Sequence, residues 1–237
     1  MAKGEFLLDG QVISFEAGQT VMEAAQQAGV YIPHLCHHAD FKPHGSCKLC
    51  TVLVNGRPSS ACTMPASEGQ EVLSETDFLH QERLRLTQML FVEGNHICPG
   101  CEKSGDCSLQ ALAYHLGMQD NHYPHFFPRR RLDASHPDLV LDRDRCILCA
   151  LCVRAAREVD GKDLFDIVGR GLQSRLAVNA PSGRLSDTAI DAGDRAARIC
   201  PVGALLPKRT AFQQPIGSRR FDRGDITEQD PRDGEHG

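Results

Sequence analysis

Several features that define common classes of protein are missing from this chain. It has no tryptophan in 237 residues, and its apolar fraction of 41% lies a little below the usual range. The stretch from Met1 to Phe15 alternates in polarity without an apolar run, which argues against a signal peptide or a membrane span. A formal net charge of -5 gives no reason to expect nucleic acid or an anionic membrane as a partner.

Cysteine, in contrast, is abundant, and the eleven cysteines fall into three groups with no remainder. The groups are Cys36, Cys47, Cys50 and Cys62; Cys98, Cys101 and Cys107; and Cys146, Cys149, Cys152 and Cys200. An odd count with C-x2-C spacings, in a chain that shows no secretion signal, favours reduced thiolates that bind metal over disulfides. We therefore expect a cytoplasmic protein with three small cores, each formed around an iron-sulfur cluster.

The first segment has the sequence pattern of a β-grasp domain. Asp9-Gly10 and Asn55-Gly56 are two-residue hairpin signals between strand-like runs. Between them, Thr20 and Glu23 form a capping box that begins a helix, and this helix ends at Gly29. The order strand, strand, helix, strand predicts one helix that crosses a small mixed sheet.

The later segments predict a helical module and then a ferredoxin-like domain, so the overall fold class is α+β. Helical periodicity runs from Leu79 to Phe91 and from Ser108 to Leu116. A strand is predicted at 139–141, with helices at 153–159 and 195–199. The predicted bounds are 1–76 for the β-grasp domain, 77–123 for the helical module, 124–137 for a connector, 138–210 for the ferredoxin-like domain and 211–237 for a polar tail. We expect the tail to be mobile unless a partner orders it.

The first and third groups each supply four thiolates. The first group, with the spacing C-x10-C-x2-C-x11-C in a β-grasp, predicts a [2Fe-2S] cluster. The alternative is a structural zinc site, which C-x2-C elements also suit. The third group reads C-x2-C-x2-C followed by Cys200-Pro201, which is typical of a [4Fe-4S] ferredoxin. A two-cluster ferredoxin would have cysteine where this chain has Ala156, so we expect a single cluster here.

The middle group, C-x2-C-x5-C, is one thiolate short of four. We predict that His96, two residues before Cys98, supplies the fourth ligand of a [4Fe-4S] cluster. Water, a partner residue or His115 on the following helix are the alternatives. An imidazole ligand makes the core less negative, so by analogy with Rieske centres this cluster should have a higher potential than an all-cysteine version.

The cysteine-containing segments resemble a known family. They read LCHHADFKPHGSCKLC, SSACTMP, GNHICPGCEKSGDCSLQALA, LDRDRCILCALCVRAARE and RICPVGAL. Together they resemble the diaphorase electron-transfer subunit of cytoplasmic NAD-reducing [NiFe] hydrogenase, over residues 1 to 210. The same modules resemble the N-terminal part of the large iron-sulfur subunit of complex I. The wider family usually has its histidine four residues before the first cysteine of the middle group, and that position is Gly94 in this chain.

This resemblance implies a non-catalytic relay within a hydrogenase complex. One end would meet a subunit that binds flavin and NAD, and the other a hydrogenase small subunit beside the [NiFe] large subunit. No G-x-G-x-x-G follows a predicted strand, so we expect no flavin or NAD to be bound by this chain itself. The alternatives are an equivalent relay of an NAD-dependent formate dehydrogenase or complex I variant and, in another class, a structural zinc protein.

Overall fold

The computed structural model describes residues 3–210 and 212–228, and the chain divides into two compact units between Leu86 and Thr87. The first unit contains five strands and one complete helix. They are β1 (Lys3–Leu8), β2 (Gln11–Glu16), α1 (Val21–Gln27), β3 (Thr51–Val54), β4 (Arg57–Ser60) and β5 (Glu71–Leu73). The strands form one sheet in the order β2-β1-β5-β3-β4, in which β1 and β5 are parallel and the other neighbours antiparallel.

Both predicted hairpins are present, and backbone dihedrals explain their turns. Asp9 and Gly10 have φ values of 50° and 83°, and Asn55 and Gly56 have values of 48° and 77°. A positive φ at both central residues is the requirement of the type I′ turn, whose twist matches that of the flanking strands. These turns fix the β1–β2 and β3–β4 registers, and the β3–β4 hairpin directly follows Cys50.

The predicted capping box begins α1. Thr20 Oγ1 accepts a hydrogen bond from the Glu23 N–H at 3.2 Å, and Glu23 Oε2 accepts one from the Thr20 N–H at 2.7 Å. The helix packs its apolar side on the sheet, and the resulting core also contains Cys50 and Cys62. This confirms the β-grasp prediction and shows that two cysteines of the first group are part of the main core.

Helix α2 (Asp77–Glu93) contains the division between the units, and the remaining elements belong to the second unit. These elements are α3 (Ser108–His115), β6 (Leu139–Leu141), α4 (Leu151–Glu158), β7 (Phe165–Val168), β8 (Arg175–Val178), α5 (Arg195–Arg198) and β9 (Leu205–Pro207). Strand β6 pairs with β9 and β7 with β8, both antiparallel. The predicted helices and the strand at 139–141 are present, whereas the β7–β8 hairpin was not predicted. The predicted domain bounds stay a prediction.

The C-terminal segment, which we define as residues 212–228, departs from the mobile tail that we expected. The Arg219 guanidinium donates to Ser104 O at 3.0 Å, and the Phe221 N–H donates to Gly105 O at 2.8 Å. Ile226 is only 9% exposed. This segment therefore packs on the loop that carries the middle cysteines, and a short apolar anchor with an arginine explains why its polar composition was misleading. Residue 211 and residues 229–237 lie outside the described residues.

Within the described ranges, no helix combines the length and the apolar character that crossing a membrane requires.

Candidate metal centres

The four cysteines of the first group lie together in the first unit, three of them buried and Cys47 partly exposed. Cys50 Sγ lies 3.3 Å from Cys62 Sγ, and the backbone N–H of Cys47 donates to Cys36 Sγ at 3.5 Å. Lys48, inside the C-x2-C loop, has a φ of 60°. A left-handed residue in this position turns neighbouring backbone N–H groups towards a common anion, as in other anion-binding nests.

The four sulfurs form two pairs, and in each pair one thiol donates to the sulfur of the other. Donation from the Cys47 thiol lowers the pKa of Cys36 to about 4, and the same contact raises the pKa of Cys47. Donation from Cys50 lowers the pKa of Cys62, and the pKa of Cys50 rises in return. Backbone N–H groups further favour the thiolates of Cys36 and Cys62. Cysteine binds metal as the thiolate, so metal ions bound in this site would displace the thiol protons.

Arg83 positions the backbone around Cys50 and was not predicted as a functional residue. Its side chain is 3% exposed and donates from Nε to Leu49 O at 3.1 Å and from Nη2 to Thr51 O at 3.1 Å. A third bond runs from Nη1 to Ser74 O at 2.9 Å. Because Leu49 and Thr51 flank Cys50, the guanidinium fixes the backbone on both sides of that cysteine. No sequence signal marks Arg83, since it lies in a helix that the sequence describes only by its apolar periodicity.

The three middle cysteines line an open pocket in the second unit. The pocket has a volume of about 320 Å³, its mouth included, and His96, Arg145 and Gly203 also line it. Cys98 begins a short 3-10 turn after α2, and Cys107 caps the start of α3. Burial raises the pKa of Cys98, and it raises the pKa of Cys107 to about 12. Thiols held in this way are poorly ionised alone, so a bound metal would have to supply the charge that stabilises their thiolates.

His96 has the properties of a ligand in this pocket. Its Nε2 atom is buried and makes no hydrogen bond within the part of the chain that the structure describes. Burial and then the Arg145 charge lower the pKa of His96 to about 4, so the imidazole is neutral at pH 7 and offers a lone pair. His115, the alternative, does not line the pocket, and its Nδ1 lies 3.0 Å from Asp225 Oδ1.

The His96 imidazole lies directly beside Gly94. A Cβ atom built on Gly94 would lie 2.5 Å from His96 Nε2 and 2.8 Å from the backbone oxygen of Asp144. A side chain at position 94 would therefore displace both groups, so the present position of the His96 imidazole depends on glycine at 94.

The third group surrounds the start of α4 and the loop after α5. Burial raises the pKa of Cys146 to about 11 and that of Cys152 well above its usual value. The charges of Cys149, Cys200 and Cys146 add to the effect of burial on the pKa of Cys152. Ala156, where a two-cluster ferredoxin would have a cysteine, is fully buried as a small apolar residue.

Among residues 3–210 and 212–228, no three His, Cys, Asp or Glu side chains are arranged to hold a single metal ion. A zinc ion needs its sulfur ligands about 2.3 Å from one centre. An iron-sulfur core does not need this convergence, because each cysteine binds the nearest iron of a larger body.

Three family models match successive parts of the chain. Residues 3–77 match the 2Fe-2S iron-sulfur cluster binding domain, and residues 83–122 match the iron-sulfur binding region of NADH-ubiquinone oxidoreductase-G. Residues 139–206 match the 4Fe-4S single cluster domain. With the fold and the cysteine groups, these matches define an iron-sulfur electron-transfer protein.

Relatives narrow this class to one family. The gamma subunit of the NAD-reducing hydrogenase HoxS of Cupriavidus necator is 39% identical over 219 residues, which cover 92% of this chain and 93% of that protein. A chain in a crystal structure of NAD+-reducing [NiFe]-hydrogenase in the H2-reduced state is 55% identical, with a TM-score of 0.95 and 98% coverage of both chains. This chain belongs to the family of iron-sulfur electron-transfer subunits of NAD-reducing [NiFe] hydrogenase.

The family is related to complex I. The G subunit of the NADH-quinone oxidoreductase of Rickettsia typhi is 32% identical over 216 residues, but the chain spans only 31% of its length. Its counterpart in Streptomyces coelicolor is 31% identical, with 25% of its length covered. The chain therefore corresponds to about a third or less of these longer relatives.

Proposed function

We propose that the chain binds one [2Fe-2S] and two [4Fe-4S] clusters and relays electrons between them. The [2Fe-2S] ligands are Cys36, Cys47, Cys50 and Cys62. The first [4Fe-4S] cluster is held by His96, Cys98, Cys101 and Cys107, and the second by Cys146, Cys149, Cys152 and Cys200. Support for this ligand set comes from the burial of six of the eleven cysteines, the partial burial of the other five, and the neutral, unpartnered His96 nitrogen.

The residues of the chain prepare each site in a different way. In the first site, donation from Cys47 lowers the pKa of Cys36 and donation from Cys50 lowers that of Cys62. In the other two sites, burial raises the pKa of Cys98, Cys107, Cys146 and Cys152. Each cluster supplies reversible one-electron transfer, which suits a flavin that divides the two electrons of NADH. The protein buries Cys36, Cys50, Cys62, Cys107, Cys149 and Cys152 and leaves the other five cysteines partly exposed.

The relay connects a subunit that binds flavin and NAD with the small and large subunits of a [NiFe] hydrogenase, in the cytoplasm. The overall reaction is H2 + NAD+ = H+ + NADH, and this chain contributes no catalytic residue to it. The observation that carries this assignment is the near-complete match to a gamma subunit and to a hydrogenase chain of known structure, over 92% and 98% of this chain.

The test is to tag the chain in its native host, purify the complex anaerobically and measure hydrogen-driven NAD reduction together with nickel and iron. Activity with stoichiometric nickel is the expected result. A brown colour that dithionite bleaches is also expected, whereas a colourless protein with stoichiometric zinc would indicate a structural metal protein and contradict the relay.

A second candidate is the equivalent subunit of a complex I variant or an NAD-dependent formate dehydrogenase. The observation behind this alternative is the 31–32% identity to complex I subunits, over 31% and 25% of their length. NAD-linked activity with flavin but without nickel or hydrogen uptake would support it and would leave the electron-transfer role intact.

A further inference from the structure

Arg145 is next to the third cysteine group in the sequence, but its side chain contacts the middle group. It is the last residue of a 3-10 turn at 143–145, directly before Cys146 of the third group. Its side chain nevertheless extends into the middle pocket, where Nη1 lies 3.8 Å from Cys101 Sγ. It is thus a cation that donates an N–H to the sulfur of a middle-group ligand.

The loop after Cys200 contacts the same sulfur. A Cβ atom built on Gly203 would lie 2.7 Å from Cys101 Sγ, so only glycine leaves room for the sulfur there. Arg145 Nη1 also donates to Gly203 O at 3.5 Å, and the Ser108 N–H donates to Pro201 O at 2.9 Å. The middle and third groups therefore meet at a packed junction, and Arg145 lies within it.

Two carboxylates fix the orientation of Arg145. Glu102 Oε2 lies 2.5 Å from Nη1, and Asp142 Oδ2 lies 3.0 Å from Nε. These groups hold the guanidinium against Cys101 and offset part of its charge. Loss of Arg145 would remove the N–H donor to sulfur and also leave two uncompensated carboxylates near the cluster. Both changes make the surroundings of the cluster more negative.

We propose that Arg145 is a positioning residue that raises the reduction potential of the middle cluster through its N–H donation to Cys101. This inference rests on the proposed ligand set. Reduction adds negative charge to a cluster, and the potential depends on net charge and on hydrogen bonds to the sulfurs. A fixed cation with an N–H directed at a ligand sulfur stabilises the reduced form.

The test is Arg145→Met in the purified complex, with the midpoint potential of the middle cluster followed by EPR-monitored redox titration. We expect the equilibrium constant for one-electron reduction to fall by about tenfold, which corresponds to about 59 mV. The matched control is Lys103→Met. Lys103 is in the Cys101–Cys107 loop, but its ammonium pairs with Asp106 instead of a sulfur. We expect the midpoint potential of the middle cluster to shift in Lys103→Met by less than a third of its shift in Arg145→Met.

An unchanged midpoint in Arg145→Met, with the cluster present, would overturn the inference, and so would an equal fall in Lys103→Met. If the Arg145→Met variant does not retain the middle cluster, the midpoint potential of that cluster is measured in Arg145→Lys instead. Lysine keeps the positive charge but lacks the planar fork that reaches Cys101 and Glu102 together. We therefore expect the midpoint potential to fall by less than in Arg145→Met, and an unchanged midpoint potential would overturn the proposal. Absence of the middle cluster from the unmodified complex would instead contradict the proposed function itself.

Discussion

Replacement of Arg83 by methionine should disrupt the first metal centre without touching any of its ligands. Methionine fills much of the same space but cannot donate, so Leu49 O, Thr51 O and Ser74 O would lose the guanidinium as hydrogen-bond partner. A buried polar group left unsatisfied costs about 1–3 kcal/mol. Three such groups give a loss of about 3 kcal/mol even at the lower end of that range.

This loss is large compared with the stability of a typical domain, which is about 5–15 kcal/mol. Because two of the three carbonyls flank Cys50, the free-energy cost is concentrated in the C-x2-C loop and the strand after it. We therefore expect Arg83→Met to reduce the occupancy of the [2Fe-2S] cluster as well as the free energy of unfolding. Arg83→Lys should recover little of either, since one ammonium cannot reproduce the planar fork.

Arg85 is the matched control for this prediction. It lies two residues further along α2, its side chain is 57% exposed, and it pairs with Glu82 at 2.7 Å. Such an exposed pair contributes about 1 kcal/mol or less. The assay is the EPR signal of the reduced [2Fe-2S] cluster per full-length chain, together with thermal unfolding of the same samples. Equal occupancy and equal unfolding temperatures in Arg83→Met and Arg85→Met would refute the positioning role of Arg83.

Three further predictions concern the other two centres. His96→Cys should lower the midpoint potential of the middle cluster in a redox titration, because a thiolate adds negative charge, and an unchanged midpoint would show that His96 is not a ligand. Gly105→Ala should lower the unfolding temperature by the equivalent of about 1 kcal/mol or more, because Gly105 has a φ of 82° and its Cβ would overlap the Arg219 side chain. Gly100→Ala meets open space and should have no such effect, so equal behaviour of the two alanine variants would contradict this reasoning. Cys200→Ala should remove about four irons per chain by metal analysis while the EPR signal of the [2Fe-2S] cluster remains, and full iron retention would exclude Cys200 as a ligand.

Sequence reasoning succeeded where the determining interaction is local. The Asp9-Gly10 turn and the Thr20 capping box involve residues at most three positions apart, so their chemistry can be read directly from the chain. The β7–β8 hairpin lacks such a two-residue turn signal, and it was missed. Arg83 and Arg145 were also missed, since their roles depend on carbonyls and sulfurs brought close only by the tertiary fold.

The cysteine loops show why their residues do not follow the usual preferences of an isolated backbone. Leu148 and Ala150, on either side of Cys149, have φ values of 55° and 57°, a region that costs a residue with a Cβ about 1–2 kcal/mol. Glycine would avoid this cost, yet neither position has it. Burial raises the pKa of Cys146, and the backbone N–H of Leu148 acts in the opposite direction by favouring the thiolate. A strained backbone persists only where the surrounding structure maintains it, and such positions cluster at functional sites. The left-handed residues beside Cys149 therefore depend on the tertiary structure, which is why the spacing between the cysteines is more informative here than local propensity.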